Sequence, residues 1–130
     1  MSRPRILGPA EVAAPVGQYS HGIEVPAGAR TVHVAGQVGI EPGGAIASGF
    51  RGQAEQAWRN LVAILRAADM EARDIVMLRT YLLDVADYAA FKEVRAAFLG
   101  EHAPAATLIV VQALVLPELR IEIDCVAARS

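Results

Sequence analysis

Between Gly52 and Ala68 the apolar positions Ala54, Ala57, Trp58, Leu61, Ile64, Leu65 and Ala68 recur at intervals of three and four, the spacing of one helical face. A helix is predicted there. A second stripe runs through Tyr88, Phe91, Val94 and Phe98, with Asp84 and Asp87 before it as capping residues and Gly100 after it as a stop. Elsewhere the period changes. Thr31–Val38 is rich in β-branched residues and precedes the turn sequence Glu41-Pro-Gly-Gly44, so it reads as a strand. Gly22–Pro26 reads as a short partner, joined to it by a hairpin at Ala27-Gly28-Ala29. Ile75–Leu83 has few polar interruptions and reads as a central strand. Thr107–Leu116 is a further apolar run and Pro117-Glu118 a turn. In Arg120–Val126 the residues Ile121, Ile123 and Cys125 alternate with Glu122 and Asp124, which sends the two sets to opposite faces.

The predicted order is strand, strand, helix, strand, helix, strand, strand, an α+β domain with a mixed sheet. Right-handed crossovers place both helices on one face, and the apolar content of Thr107–Leu116 leaves the other face in need of a partner. A length of 130 residues fits one domain over 1–130. With 54% hydrophobic and 20% charged residues the chain can bury a core and is not disordered. Its longest apolar runs are broken by Gln112 and Pro117, too short for a membrane span. Pro4, Gly8, Pro9 and Glu11 interrupt what would be the apolar part of a signal peptide, so a cytoplasmic location is expected.

Candidate chemistry narrows the picture further. The single cysteine, Cys125, excludes an internal disulfide and a multi-thiolate metal site, and alternation makes it a small buried hydrophobe. His21, His33 and His102 are too scattered to suggest zinc, and no metal is expected. The net charge of −2 gives no basic field for phosphate backbones, although eleven of the twelve cations are arginine and only Lys92 is lysine. A nucleic-acid partner is therefore not expected.

Four short motifs add a resemblance. Gly17-Gln-Tyr-Ser-His-Gly22 resembles G-P-Y-S, and Val34-Ala-Gly-Gln-Val38 resembles S-G-Q. Glu101-His-Ala-Pro-Ala105 with Ala106 and Thr107 resembles P-A-R-[ST], and Ile121-Glu-Ile-Asp124 resembles V-E-I-E. In this order and spacing they resemble the RidA (YjgF/YER057c/UK114) family over essentially the whole chain. The resemblance implies a chorismate-mutase-like fold, a homotrimer built around a barrel of three sheets, and a small-molecule pocket in each cleft between subunits. It also implies cofactor-free hydrolysis, in which water attacks the C=N carbon of a 2-imino acid and releases ammonia and a 2-oxo acid. By the same resemblance Glu122 is the acid–base residue, and Tyr19, Ala35, Gly36, Phe91, Ala106 and Thr107 surround the substrate.

The chain departs from the pattern in three places. The arginine that would hold the substrate carboxylate is Ala106, the serine of S-G-Q is Ala35, and the asparagine usual in the second helix is Lys92. A guanidinium–carboxylate contact contributes roughly 1.5–3 kcal/mol, so its loss means an about tenfold to hundredfold weaker hold on a small 2-imino acid. The expected function is hydrolysis of a C=N or enamine bond in a different substrate, with Glu122 moving protons. The competing expectation is a non-catalytic metabolite-binding trimer using the same cleft. A nuclease is disfavoured by the acidic balance. Arg79, Arg95 and Lys92 are the cations that could replace the lost anchor, and a surface ion pair or a subunit contact is the ordinary role of each. Glu122 has a plainer reading as a strand carboxylate paired with an arginine, and Tyr19 as a packing anchor.

Overall fold

The computed structural model describes residues 3–130. The chain runs β1 (Arg5–Leu7), β2 (Gly22–Glu24), β3 (Arg30–Val38), α1 (Gly49–Ala67), β4 (Ile75–Leu82), α2 (Tyr88–Leu99), β5 (Ala105–Val110) and β6 (Ile121–Arg129). Single 3-10 turns at Ala72–Asp74 and Val85–Asp87 lead into β4 and α2. The first is closed by reciprocal bonds between the side chains and backbone of Glu71 and Asp74.

One sheet has the order β3-β6-β4-β5. It is antiparallel except for the β4–β5 pair, which α2 connects as a parallel crossover. The fold is α+β. Ala54, Trp58, Leu61 and Leu65 of α1 and Phe91, Val94 and Leu99 of α2 pack with Val34, Leu78, Leu82, Ile121, Ile123 and Cys125 of the sheet into one core. Trp58 is fully buried and stacks on Phe98 of α2, ring centroids 5.5 Å apart, which ties the two helices together. The alternation read in the last strand holds: Ile121, Ile123 and Cys125 lie under the helices while Glu122 and Asp124 are half-buried on the uncovered face.

Three expectations are corrected. β2 does not form a hairpin with β3 but pairs antiparallel with β1, an element the sequence reading omitted. The turn at Pro26–Ala29 reverses the chain, with Gly28 at φ 81°. A turn does not choose a strand's partner, however, and the Arg5–Glu24 ion pair of 3.1 Å fits the β1–β2 register. The strand expected over Thr107–Leu116 ends at Val110, because β5 is an outer strand whose neighbour β4 stops at Leu82. Val111 makes the last bond, donating to the Leu82 carbonyl at 2.7 Å, and the residues beyond it have no strand to pair with. The uncovered face is also more polar than expected. Arg79, Tyr81, Thr107, Glu122 and Asp124 stand on it, and its exposed apolar side chains include Ile109 of β5.

Candidate functional site

A β-bulge in β3 between Val34 and Gln37 brings the backbone of Gly36 against β6. A Cβ built on Gly36 would stand 2.8 Å from Glu122 Cδ and would collide with its carboxylate oxygen. Only glycine leaves room for the carboxylate there. Glu122 pairs in register with Val38 on one side and Tyr81 on the other, and makes no hydrogen bond or ion pair with any described residue. The buried Gln53 of α1 fixes the entry to β6, donating to the Glu118 carbonyl at 2.9 Å and accepting from the Arg120 N–H at 2.8 Å. The first helix thus sets where Glu122 stands.

Two positions along β6, Asp124 is fully engaged. Arg79 Nε donates to its Oδ1 at 2.7 Å and the Tyr81 hydroxyl donates to its Oδ2 at 3.0 Å. In both cases the hydrogen bond to Asp124 is the main cause of a pKa raised above the group's ordinary value, for the guanidinium and for the phenol alike. Arg79 is therefore a tied cation. Lys92 lies over the Tyr88 ring, 4.9 Å from its centroid. Arg95 alone of the three candidate anchors is buried, over the Phe91 ring.

At the other edge of the sheet, the segment before β2 runs beside β5. Ser20 bridges Ala105 in parallel and donates its hydroxyl to the Ala103 carbonyl, and Gln18 donates to the carbonyls of Gly100 and His102 at 2.7 and 3.0 Å. This holds Tyr19 half-buried, its hydroxyl accepting from the Val16 N–H at 3.4 Å and its ring edge-on to His21. Thr107 is exposed in register with Arg79, while Ala106 pairs with Leu78 and packs against the core.

The expected site residues therefore form two groups rather than one. Ala35, Gly36 and Glu122 lie on the β3–β6 side, and Tyr19, Ala106 and Thr107 on the β5 edge, with β4 between them. With strands roughly 4.8 Å apart and a rise of roughly 3.3 Å per residue, the register puts the Cα atoms of Glu122 and Thr107 about 12 Å apart. β4 thus stands between the two groups. Phe91 is a correction: it is 0% exposed, because the phase of α2 turns it into the core with Val94, so it has no surface to offer a ligand. Cys125 is 2% exposed, and burial pushes its thiol up to about 12, so it is no nucleophile at neutral pH. Two clefts of about 760 and 570 Å³ lie elsewhere, one lined by residues including Arg59, Arg66 and Phe98, the other by residues including Ile6, Ile23 and His102.

Residues 10–129 match the family described as endoribonuclease L-PSP. The chain belongs to the RidA/YjgF/UK114 family. YyfB of Yersinia pestis, a Rid-family protein of unknown function, superposes with a TM-score of 0.86 at 36% identity, covering 97% of this chain and 98% of that one. TdcF of Escherichia coli, solved with bound serine, superposes at 0.73 with 29% identity over 97% of this chain and 99% of its own. The 2-iminobutanoate/2-iminopropanoate deaminase of Homo sapiens is 30% identical over 128 residues, 97% of this chain and 90% of its own.

Sequence reasoning on this Rid chain missed the Arg79–Asp124–Tyr81 triangle. Its signal was present, since Arg79 and Tyr81 are two apart in an otherwise apolar strand and so share its uncovered face. What the sequence lacked was the register that sets Asp124 opposite Arg79. Among the described residues no helix of the Rid chain is long and apolar enough to cross a membrane.

Proposed function

We propose that the protein hydrolyses a C=N or enamine bond, releasing ammonia, at a site assembled between copies of the chain in a homotrimer. The observation that carries this reading is the Glu122 carboxylate, half-buried against Gly36 and free of any ion pair or hydrogen bond with a described residue. A structural carboxylate in that setting would have an arginine, as Asp124 has Arg79. The separation of the two groups of site residues supports a site completed by the β5 edge of a second copy.

In the proposed reaction Glu122 takes a proton from a water that adds to the imine carbon, and returns it to nitrogen. Glu122 then carries the hydroxyl proton of the resulting amino alcohol to nitrogen, the carbon–nitrogen bond breaks as the C=O bond forms, ammonia leaves and a carbonyl product remains. Backbone groups beside Gly36 and the Thr107 hydroxyl would orient the water. The deaminase from Homo sapiens supports the reaction class, and the bound serine in TdcF supports a small ligand. Ala106 supports a substrate other than a simple 2-imino acid, since a methyl group cannot hold a carboxylate.

The same residue favours the second reading, a trimer that binds a metabolite without turning it over. Ammonia release by the purified protein over a panel of imines and enamines separates the two. Turnover of one class well above its spontaneous hydrolysis is the expected result, and binding without turnover of any would establish the second reading.

A further inference from the structure

The cleft of about 760 Å³ lies in the helix layer, where the second half of α1 and the end of α2 meet the 3-10 turn at Ala72–Asp74. None of the residues proposed for the reaction lines it. Its walls carry three guanidiniums, those of Arg59, Arg66 and Arg73, against one carboxylate, that of Glu71. The carboxylate is already shared, since Glu71 Oε2 lies 2.9 Å from Arg73 and 3.8 Å from Arg129. Arg59 has a 3.8 Å contact with Glu55 and a 3.4 Å hydrogen bond to Gln56, both on its own helix. The Arg66 side chain makes no hydrogen bond or ion pair with any described residue. The charged lining therefore sums to +2, in a chain whose net charge is −2.

A cation near a helix C-terminus has a plain role, that of offsetting the carbonyl end of the dipole. The end of α1 does not call for three. Its Leu65 carbonyl accepts from the Ala68 and Met70 N–H groups, its Arg66 carbonyl accepts from the Asp69 N–H, and Arg30 donates to the Ala68 carbonyl at 3.2 Å. Arg59, Val62 and Arg66 stand at i, i+3 and i+7, so two guanidiniums and an apolar side chain share one face of the helix. From α2 the cleft receives Phe98, half-buried like Val62. One face of the Phe98 ring is taken by Trp58, with the two planes 15° apart, and the rest of the ring is left for the cleft. Exposed positive charge thus surrounds a flat apolar surface.

We propose that this cleft binds a phosphate ester with a planar apolar body, the phosphate held by Arg59, Arg66 and Arg73 and the body laid against Phe98 and Val62. An ester phosphate carries about −1.5 to −2 charge near neutral pH and three acceptor oxygens. That charge matches the lining, whereas a single carboxylate would leave part of it uncompensated. Guanidinium groups present paired donors to phosphate oxygens, which adds orientation to the attraction. The volume falls within the roughly 300–1,000 Å³ of small-molecule sites. The proposal is independent of the reaction assigned to Glu122, which stands on the uncovered face of the sheet.

The test is calorimetric titration of the full chain with phenyl phosphate and adenosine 5′-monophosphate, beside inorganic phosphate, phenol and adenosine. At least one ester should bind more tightly than inorganic phosphate and more tightly than its own phosphate-free part, with an affinity that falls as salt is raised. The tighter of the two esters distinguishes a simple aryl phosphate from a nucleotide. Arg66→Met should weaken the binding by at least about tenfold, the share of one charge-assisted contact. Ala97 is exposed at the cleft, so Ala97→Trp fills the space without touching the core and should weaken binding as well. Circular dichroism establishes that each variant is folded, and if Arg66→Met is not, Ala97→Trp decides. No saturable binding of either ester, inorganic phosphate binding as tightly as both esters, phenol and adenosine binding as tightly as their esters, or unchanged affinity in a folded variant would overturn the assignment.

Discussion

The carboxylate of Glu122 fills the volume in which a side chain at Gly36 would begin. The two residues stand on neighbouring strands, and the bulge in β3 lets them approach so closely. Gly36→Ala should therefore displace the carboxylate without removing it. A misplacement of about 1 Å in a reacting group can cost about a hundredfold in rate, so the variant should lose about 10- to 100-fold in kcat with its charge and circular dichroism unchanged. Wild-type kcat in Gly36→Ala would mean that the carboxylate position does not matter to turnover.

Tyr81 and Asp124 give a prediction in alkaline solution. The hydrogen bond to Asp124 raises the Tyr81 pKa, so the folded state holds that proton more tightly than the unfolded chain does. The resulting stabilisation is fully present below about pH 10, the ordinary phenol value, and is lost as pH rises through the folded value. Asp124→Asn removes the charged acceptor. Absorbance titration of the phenolate should then show one of the three tyrosines ionising at lower pH than in the wild type. An unchanged titration would show that the bond is not made in solution.

The helices and β6 were legible because each is amphipathic within a single element: one stripe in α1 through Trp58 and Leu61, one alternation through Ile121, Ile123 and Cys125. The phase of α2 was legible too, and it should have excluded Phe91 from the ligand site, since Phe91 lies on the same inward stripe as Val94. Pairing was not legible. Nothing local in Gly22–Glu24 says that its partner is Arg5–Leu7, and nothing in Thr107–Leu116 says that β4 ends at Leu82. The site suffered most from this. Glu122 and Thr107 carry motifs that suggest one pocket, whereas the strand order sets β4 between them.

That separation makes assembly testable. If the site forms between copies, light scattering behind size-exclusion chromatography should give three times the 13.8 kDa of one chain at micromolar concentration. A large residue on the exposed β5 position, Thr107→Trp, should weaken turnover through the closure of that site while leaving the unliganded fold intact. A monomer that retains full activity would contradict the shared site.

The most direct test of the account is the turnover of Glu122→Gln on whichever imine or enamine the wild type hydrolyses fastest. The substitution keeps the size and hydrogen-bonding capacity of the side chain and removes its ability to carry the proton. Ammonia release should fall by roughly 10²–10⁴, the usual share of general acid–base catalysis, while ligand affinity changes by less than about tenfold. Turnover within about twofold of the wild type would contradict the assignment of Glu122 and, with it, the proposed reaction.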